Sequence, residues 1–252
     1  MEVTVLGSDG TWPRADGAAS GYLIRHDGFA LWQDLGTGTM ANLQRHVDLR
    51  EVDAVAVSHV HADHFVDLFP FFYARRYGGP TPAPRIPLIT PSGTESRIRA
   101  MLSEAGWEEF PVCFELLEVE PGTGLDLGPL RVATARMAHP VPTLGMRYEA
   151  DGVAVAYSAD TGPTEELVEL ARGADLLIAE ATWLADGKDY PPDLHMTAKE
   201  AGEHAASAEA TSLMLAHIQP IYDTDHSREE ASAAFDGPVE VARPDARWGP
   251  GA

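Results

Sequence analysis

The stretch Ser58-His59-Val60-His61-Ala62-Asp63-His64 gathers three imidazoles and one carboxylate directly behind the apolar run AVAV. Imidazole and carboxylate together ligate zinc, and also iron or manganese. In extended backbone, residues two apart share a side, so His59 and His61 would face one point. Asp63 and His64 follow at the expected start of a helix and would face a second point close by. That spacing suits a pair of metal ions. More ligands are needed, and they are expected at other strand ends. His139 closes RVATARMAH before PVP, Asp160 closes VAVAYSAD before TGP, and His217 closes TSLMLAH before IQP. Each stands where an apolar strand stops and a loop begins, the usual place for functional groups on a rigid frame. Singly, each reads as a surface loop residue. With the first cluster they complete a two-metal set.

The elements that must carry these residues follow from periodicity. VTVLG, SGYLIRH, FALWQDLG and DAVAVSH read as strands separated by turns. Helices are expected over residues 39–45 and 65–76. The Pro/Gly-rich loop GGPTPAPRIP leads to a strand, PLIT, and then to a helix over residues 92–105 with Ser92 as its N-cap. A β region follows over residues 113–157, including a hairpin that turns at Ala150, Asp151 and Gly152. The last third has a βα rhythm: a helix over 163–172, the strand DLLIAEA, a helix over 197–208, the strand TSLMLAH and a helix over 227–234. Thr197 followed by Glu200 fits a capping box. Two halves that each mix strands and helices predict an α/β fold with two mixed sheets face to face and helices outside. Composition breaks nowhere, so residues 1–252 read as one domain.

Composition narrows the partners. The chain has 252 residues and a formal net charge of -21, with Lys188 and Lys199 as its only lysines. Such a surface repels long polyanions and anionic membranes, while divalent cations offset part of its charge. No apolar stretch approaches the roughly 20 residues that span a bilayer. MEVTVLGSDG reads as a first strand rather than a signal peptide. Cys113 is the only cysteine, so no intramolecular disulfide can form, and a cytoplasmic location is expected.

Along nearly its whole length the sequence resembles the metallo-β-lactamase-fold hydrolases. The resemblance is carried by GSDGTWP, ASGYLI, QDLGTG, SHVHADH, AHPVPTLGMRYE, AYSADTGPTEEL, LIAEATW, DLHMTAKEAGEHA and LMLAHIQP. Within that superfamily IAEATW and DLHMTAKEAGEHA are most similar to the ribonuclease Z-like and cyclic-nucleotide phosphodiesterase branch. The resemblance implies an αββα sandwich with two Zn2+ at one sheet edge, Mn2+ or Fe2+ being alternatives. His59, His61 and His139 would hold the first ion, Asp63, His64 and His217 the second, and Asp160 would bridge them. It also implies that His195 faces a substrate phosphate and assists the leaving oxygen. Glu180, which ends DLLIAE, would hold the tautomer of His195, and Asp63 would orient the attacking water or act as base.

Two departures from the family pattern stand out. The glycine that usually follows the H-x-H-x-D-H cluster is missing, because Phe65-Val66-Asp67-Leu68 comes after His64. The long arm of transfer-RNA-processing ribonuclease Z has no room in the short interval between His139 and Asp160. The expected activity is therefore hydrolysis of a small phosphodiester such as a cyclic nucleotide. A lactone, thioester or β-lactam hydrolase is the alternative, and a transfer-RNA endonuclease is disfavoured. A non-hydrolytic binding module would be signalled by lost ligands, and none is lost.

The remaining features read more plainly. Asp34-Leu35-Gly36-Thr37-Gly38 lacks a following Gly-Lys-Ser/Thr and is not a phosphate loop; it reads as a tight turn beneath the metal loop, with Asp34 a candidate partner of the ligands. His26, His46, His204 and His226 have no partner pattern. Cys113 reads as a small buried apolar residue. FVDLFPFFYARRY reads as core, with a homodimer contact or substrate wall as the sharper reading, and its Arg75 and Arg76 as surface residues.

Overall fold

Successive side chains of a strand point to opposite faces. In the strand Phe29–Gln33, Leu31 enters a core shared by two sheets. Trp32 turns the other way and meets Phe71 of an overlying helix, ring edge to face at 5.0 Å. The computed structural model, which describes residues 1–250 except Gly187 and Pro192, repeats this plan throughout.

The chain first forms β1 (Glu2–Gly7), β2 (Gly21–His26), β3 (Phe29–Gln33), β4 (Ala54–Ala56), β5 (Ile86–Pro91) and β6 (Phe114–Val119). It then forms β7 (Gly124–Leu127), β8 (Leu130–Arg136), β9 (Leu144–Ala150), β10 (Val153–Tyr157), β11 (Leu176–Glu180), β12 (Leu213–Ala216) and β13 (Val239–Val241) before β14 (Arg247–Trp248) returns to the first sheet. The sheet orders are β14-β1-β2-β3-β4-β5-β6 and β13-β12-β11-β10-β9-β8-β7. Strands β3 to β6 are parallel, as are β10 to β13, and the others pair antiparallel.

The helices are α1 (Thr39–Leu43), α2 (Ala62–Phe65), α3 (Leu68–Tyr77), α4 (Thr94–Met101), α5 (Glu104–Cys113), α6 (Glu165–Ala171), α7 (Ala198–Ser207) and α8 (Thr224–Ser232). Helices α3, α4 and α5 cover the outer face of the first sheet through Phe71, Phe72, Ile98 and Phe110. Helices α6, α7 and α8 cover the second through Leu167, Leu170, Ala201, Ala205 and Ala231. Leu176 and Ile178 of β11 face the central core while Leu177 and Ala179 face the helices. This is the expected αββα sandwich. Burying each large apolar side chain contributes roughly 1.5–3 kcal/mol. Among the described residues no helix is long and apolar enough to cross a membrane.

Local differences from the sequence reading have identifiable causes. The helix expected over 65–76 is broken into α2 and α3, because Asp67 is drawn to the 34–40 turn: its N–H donates to Leu35 O at 2.8 Å and its carboxylate accepts from Met40 N at 2.8 Å. Pro70 then falls in the first turn of α3, where its missing N–H costs nothing. The helix expected over 92–105 is two helices. Ser92 is not a cap; it donates to Glu120 Oε1 at 2.5 Å, and left-handed Gly93 precedes α4. Ser103 caps α5, accepting from Gly106 N at 3.1 Å. The capping box of Thr197 and Glu200 forms as read, and so does the β9–β10 hairpin. Arg75 is fully buried rather than on the surface. It donates to Leu49 O at 2.7 Å and Pro84 O at 2.5 Å, tying two loops to α3. Arg76 does lie outside and pairs with Glu109 at 2.5 Å.

Candidate metal centre

The parallel strands deliver their C-terminal ends to one edge of the sandwich. His59 lies just past β4, Asp160 past β10, Glu180 ends β11 and His217 follows β12. His139 leaves β8 through the isolated bridge between Ala138 and Gly162. His61 is the extended residue before α2, and Asp63 and His64 lie within that helix. The chain turns sharply to do this. Asp34, Ala159 and His217 all have left-handed backbone, with φ of 55°, 54° and 54°. Such conformations are costly for non-glycine residues and cluster at functional sites. Gly36 lets the 34–38 turn pass under the metal loop, since a Cβ there would lie 2.1 Å from Asp63 O.

All seven expected ligands converge, in two groups that share Asp160. In the first, His61 Nδ1 is 3.1 Å from His59 Nε2 and 3.2 Å from His139 Nε2. Asp160 Oδ2 is 3.6 Å from His59 Nε2 and 4.0 Å from His139 Nε2. In the second, His217 Nε2 is 3.1 Å from Asp63 Oδ2 and 3.5 Å from Asp160 Oδ1. His64 Nε2 is 3.1 Å from Asp160 Oδ1 and 3.8 Å from Asp63 Oδ2. Donors about 2.0–2.2 Å from a tetrahedral ion lie roughly 3.3–3.6 Å apart, so both groups are close to the size of a coordination shell. The two oxygens of Asp160 face different groups, as a bridging carboxylate requires.

The donors are set for a cation. His64 Nε2 and Asp160 Oδ1 are buried and, although 3.1 Å apart, neither makes a hydrogen bond of good geometry among the described residues. Buried polar atoms are rarely left this way. Four imidazoles have the opposite nitrogen occupied. His59 Nδ1 meets Ser58 Oγ at 3.1 Å, His64 Nδ1 meets Asp34 Oδ2 at 2.7 Å, His139 Nδ1 meets Leu194 O at 2.8 Å and His217 Nδ1 meets Thr182 Oγ1 at 2.8 Å. Such partners fix the tautomer and aim Nε2 at the metal.

Electrostatics agree. Burial, then the neighbouring imidazole of His64, holds the pKa of His59 well below the usual histidine value. Burial likewise lowers His61 and His139. Burial alone would raise Asp160, but the charges of His217, His64 and His59 hold its carboxyl well below the usual range. For His64 burial lowers the pKa, yet Asp160 and Asp34 on either side push it well above normal. The carboxylates of Asp160 and Asp34 thus favour positive charge at His64. The residues fit divalent cations.

His195 and Glu180 also come together as expected. His195 Nδ1 lies 2.9 Å from Glu180 Oε1, and its ring stacks 5.3 Å from that of His217. Burial lowers the pKa of His195, but the charge and hydrogen bond of Glu180 outweigh this and raise it to about 9. The same glutamate accepts from Thr161 N at 2.6 Å, Met196 N at 3.2 Å and Thr182 Oγ1 at 2.6 Å. Within the loop DGKDYPPD before His195, Gly187 and Pro192 lie outside the described residues.

Sequence reasoning anticipated Asp34 as a partner of the ligands, and it is one. Besides His64 it accepts from Ser58 N at 2.7 Å, Ser58 Oγ at 2.7 Å and Tyr157 OH at 2.8 Å. It missed Thr182, Ser58 and Tyr157, whose spacing carries no signal, and the N–H of Thr11, which donates to Asp63 Oδ2 at 3.0 Å. His26, His46 and His204 stay outside the site, bound to Asp151, Asp245 and Thr164 N. Cys113 is a buried free thiol.

Known proteins are similar to nearly the whole chain. It is 41% identical over 249 residues to an uncharacterized protein of Mycobacterium tuberculosis, covering 96% of this chain and 89% of that one. It is 30% identical over 253 residues to the probable metallo-hydrolase YhfI of Bacillus subtilis, covering 98% and 99%. The crystal structure of YhfI superimposes with a TM-score of 0.89 over 98% of each chain. The human short-form tRNase Z has a TM-score of 0.81 over 99% of each chain at 22% identity, a likeness of fold. Residues 13–218 match the model of the Beta-lactamase superfamily domain, and with its His/Asp donor groups the chain belongs to that superfamily as a metallo-hydrolase.

Proposed function

We propose that the chain is a binuclear zinc hydrolase that cleaves a small phosphodiester, a cyclic nucleotide being one example. His59, His61, His139 and Asp160 hold one ion, and Asp63, His64, His217 and Asp160 the other. When bound, the ions supply an ionised water at neutral pH and neutralise charge on the phosphoryl oxygens. The chain's own residues do the rest. Asp63, held by the N–H of Thr11, orients the attacking water and accepts its hydrogen bond. Glu180 fixes His195 with Nδ1 occupied, so that Nε2 is left to give a proton to the departing alkoxide.

The observation that carries this reading is the His195–Glu180 pair beside His217. A departing alkoxide needs a proton at neutral pH, and general acid catalysis of that kind contributes roughly 10²–10⁴-fold. A small substrate is supported by the net charge of -21 and by the β9–β10 hairpin, which fills the interval between His139 and Asp160. A cytoplasmic location is supported by the single buried free thiol.

The test is a substrate panel on the purified, zinc-loaded chain: bis(p-nitrophenyl) phosphate, cyclic nucleotides, short RNA, lactones and thioesters. Turnover of diesters is expected, with His195→Ala losing at least about a hundredfold at unchanged zinc content. A fully loaded protein that cleaves lactones or thioesters but no diester, indifferent to His195→Ala, overturns the proposal.

A further inference from the structure

A cavity of about 410 Å³ is lined by Trp183, Lys188, Tyr190, Asp189, Asp193 and His195, and by none of the seven donor residues. That volume is in the range of small-molecule sites, roughly 300–1,000 Å³, and far exceeds what a methyl or ethyl alkoxide would fill. Its wall is aromatic. The rings of Trp183 and Tyr190 stack at 4.3 Å with 8° between their planes, and Trp183 meets His195 edge to face at 5.2 Å. Its charge is negative. Lys188 is already neutralised by Asp186, and Glu200 on the far wall is committed to Thr197 N and Oγ1. Among the described residues Asp189 and Asp193 form no ion pair, so they offer the cavity two acceptors and two negative charges.

We propose that this cavity is the subsite for the leaving-group side of the diester, that it takes a flat, uncharged group rich in hydrogen-bond donors and of nucleoside size, and that it rejects a second phosphate. The inference rests on the diester reading above and adds the substrate class. His195 joins the two sites: it lines the cavity and its ring stacks on that of His217, so a group whose oxygen departs against His195 lies at the edge of the cavity. Tyr190 and Trp183 give that group an aromatic surface. Asp189 and Asp193 accept from amino or hydroxyl donors and repel an added phosphate. The cleaved phosphate is governed by the donor groups of the metal centre, whereas any further phosphate meets only carboxylates.

The experiment compares the zinc-loaded full chain on a dithymidine monophosphate and on the same compound carrying one further phosphate at either end. The plain diester is expected to have the higher kcat/KM, by roughly fivefold or more over the derivative phosphorylated on the leaving side. In Asp189→Asn/Asp193→Asn that ratio falls towards one. In Tyr190→Ala the KM for the plain diester rises about tenfold at unchanged zinc content, the scale of one lost stacking contact. Equal rates on all the compounds, or a Tyr190→Ala protein with unchanged KM, overturn the assignment. Failure of the diester reading looks different, because none of the compounds is then cleaved. Calorimetry with thymidine decides that case: binding that Tyr190→Ala abolishes upholds the cavity as a nucleoside site, and absence of binding overturns it.

Discussion

Thr182 belongs neither to the donor groups nor to the proposed proton transfer, yet replacing it with valine should weaken zinc binding by roughly 10–100-fold. Its hydroxyl lies 2.6 Å from Glu180 Oε2 and 2.8 Å from His217 Nδ1. A threonine hydroxyl has one proton. Donated to the glutamate, it leaves a lone pair that can only accept, so His217 must carry its proton on Nδ1. Nε2 then presents a lone pair, touched by Thr11 N–H at 3.4 Å, beside Asp63 Oδ2 and Asp160 Oδ1, where the proposed second ion would sit. Valine keeps the shape and removes the acceptor. A buried Nδ1–H without a partner costs about 1–3 kcal/mol, and His217 is 3% exposed, so water cannot replace it. At about 1.4 kcal/mol per tenfold, this cost translates into the stated loss.

The assay is competition for zinc between the purified chain and a chromophoric chelator, with circular-dichroism melts to check the fold. Thr182→Ser keeps the hydroxyl and should bind zinc within a few-fold of the parent. A Thr182→Val protein that binds zinc as tightly as the parent refutes the tautomer argument. So does a serine variant as weak as the valine one, since the methyl group would then be what matters.

Chelation should lower the melting temperature: an ion at a thousandfold excess over its Kd stabilises by about 4 kcal/mol, roughly 8–16 °C for a chain of this size, and an unchanged melt after complete zinc removal would contradict the fit of the donor groups. On the proposed mechanism His195 acts protonated, and its pKa is raised to about 9, so diester turnover should fall as pH rises through that region. Glu180→Gln removes the raising charge and leaves the lowering effect of burial, so the alkaline limb should move to lower pH; bound cations depress both proteins alike, and a limb that stays in place or moves up counts against the pair. Arg75→Leu strips a guanidinium from the carbonyls of Leu49 and Pro84 and should cost about 3 kcal/mol in urea unfolding, whereas a surface arginine would cost less than about 0.5 kcal/mol.

The sequence made the candidate ligands legible because chemistry and topology coincide at strand ends. An imidazole or carboxylate that closes AVAVSH, TSLMLAH or VAVAYSAD has few bland explanations; β10 and β12 end at one edge because the parallel strands of their sheet share a direction, and β4 brings its end to the same place from the facing sheet. What surrounds the ligands was legible only in part. Asp34 showed itself by sitting in a Gly-rich turn, but Tyr157, which reaches its carboxylate from the opposite sheet, lies 123 residues away and looks like any aromatic residue in an apolar strand. Thr182 is similarly indistinguishable from a loop threonine until β11 and β12 are placed side by side. The misplaced helix ends have a related origin. Asp67 broke the aromatic helix because the 34–40 turn, distant in sequence, offered better partners than the helix did. Arg75 was misread for the same reason, as its burial depends on carbonyls from two other loops. Periodicity reports what a segment prefers by itself, and a ligand at a strand end needs little more. The groups that orient the ligand are selected by whatever lies across the sheet, so finding them in sequence requires the strand order first. With that order known, a hydroxyl residue two positions after the Glu180 strand end, beside a histidine on the neighbouring parallel strand, becomes a pattern that can be sought.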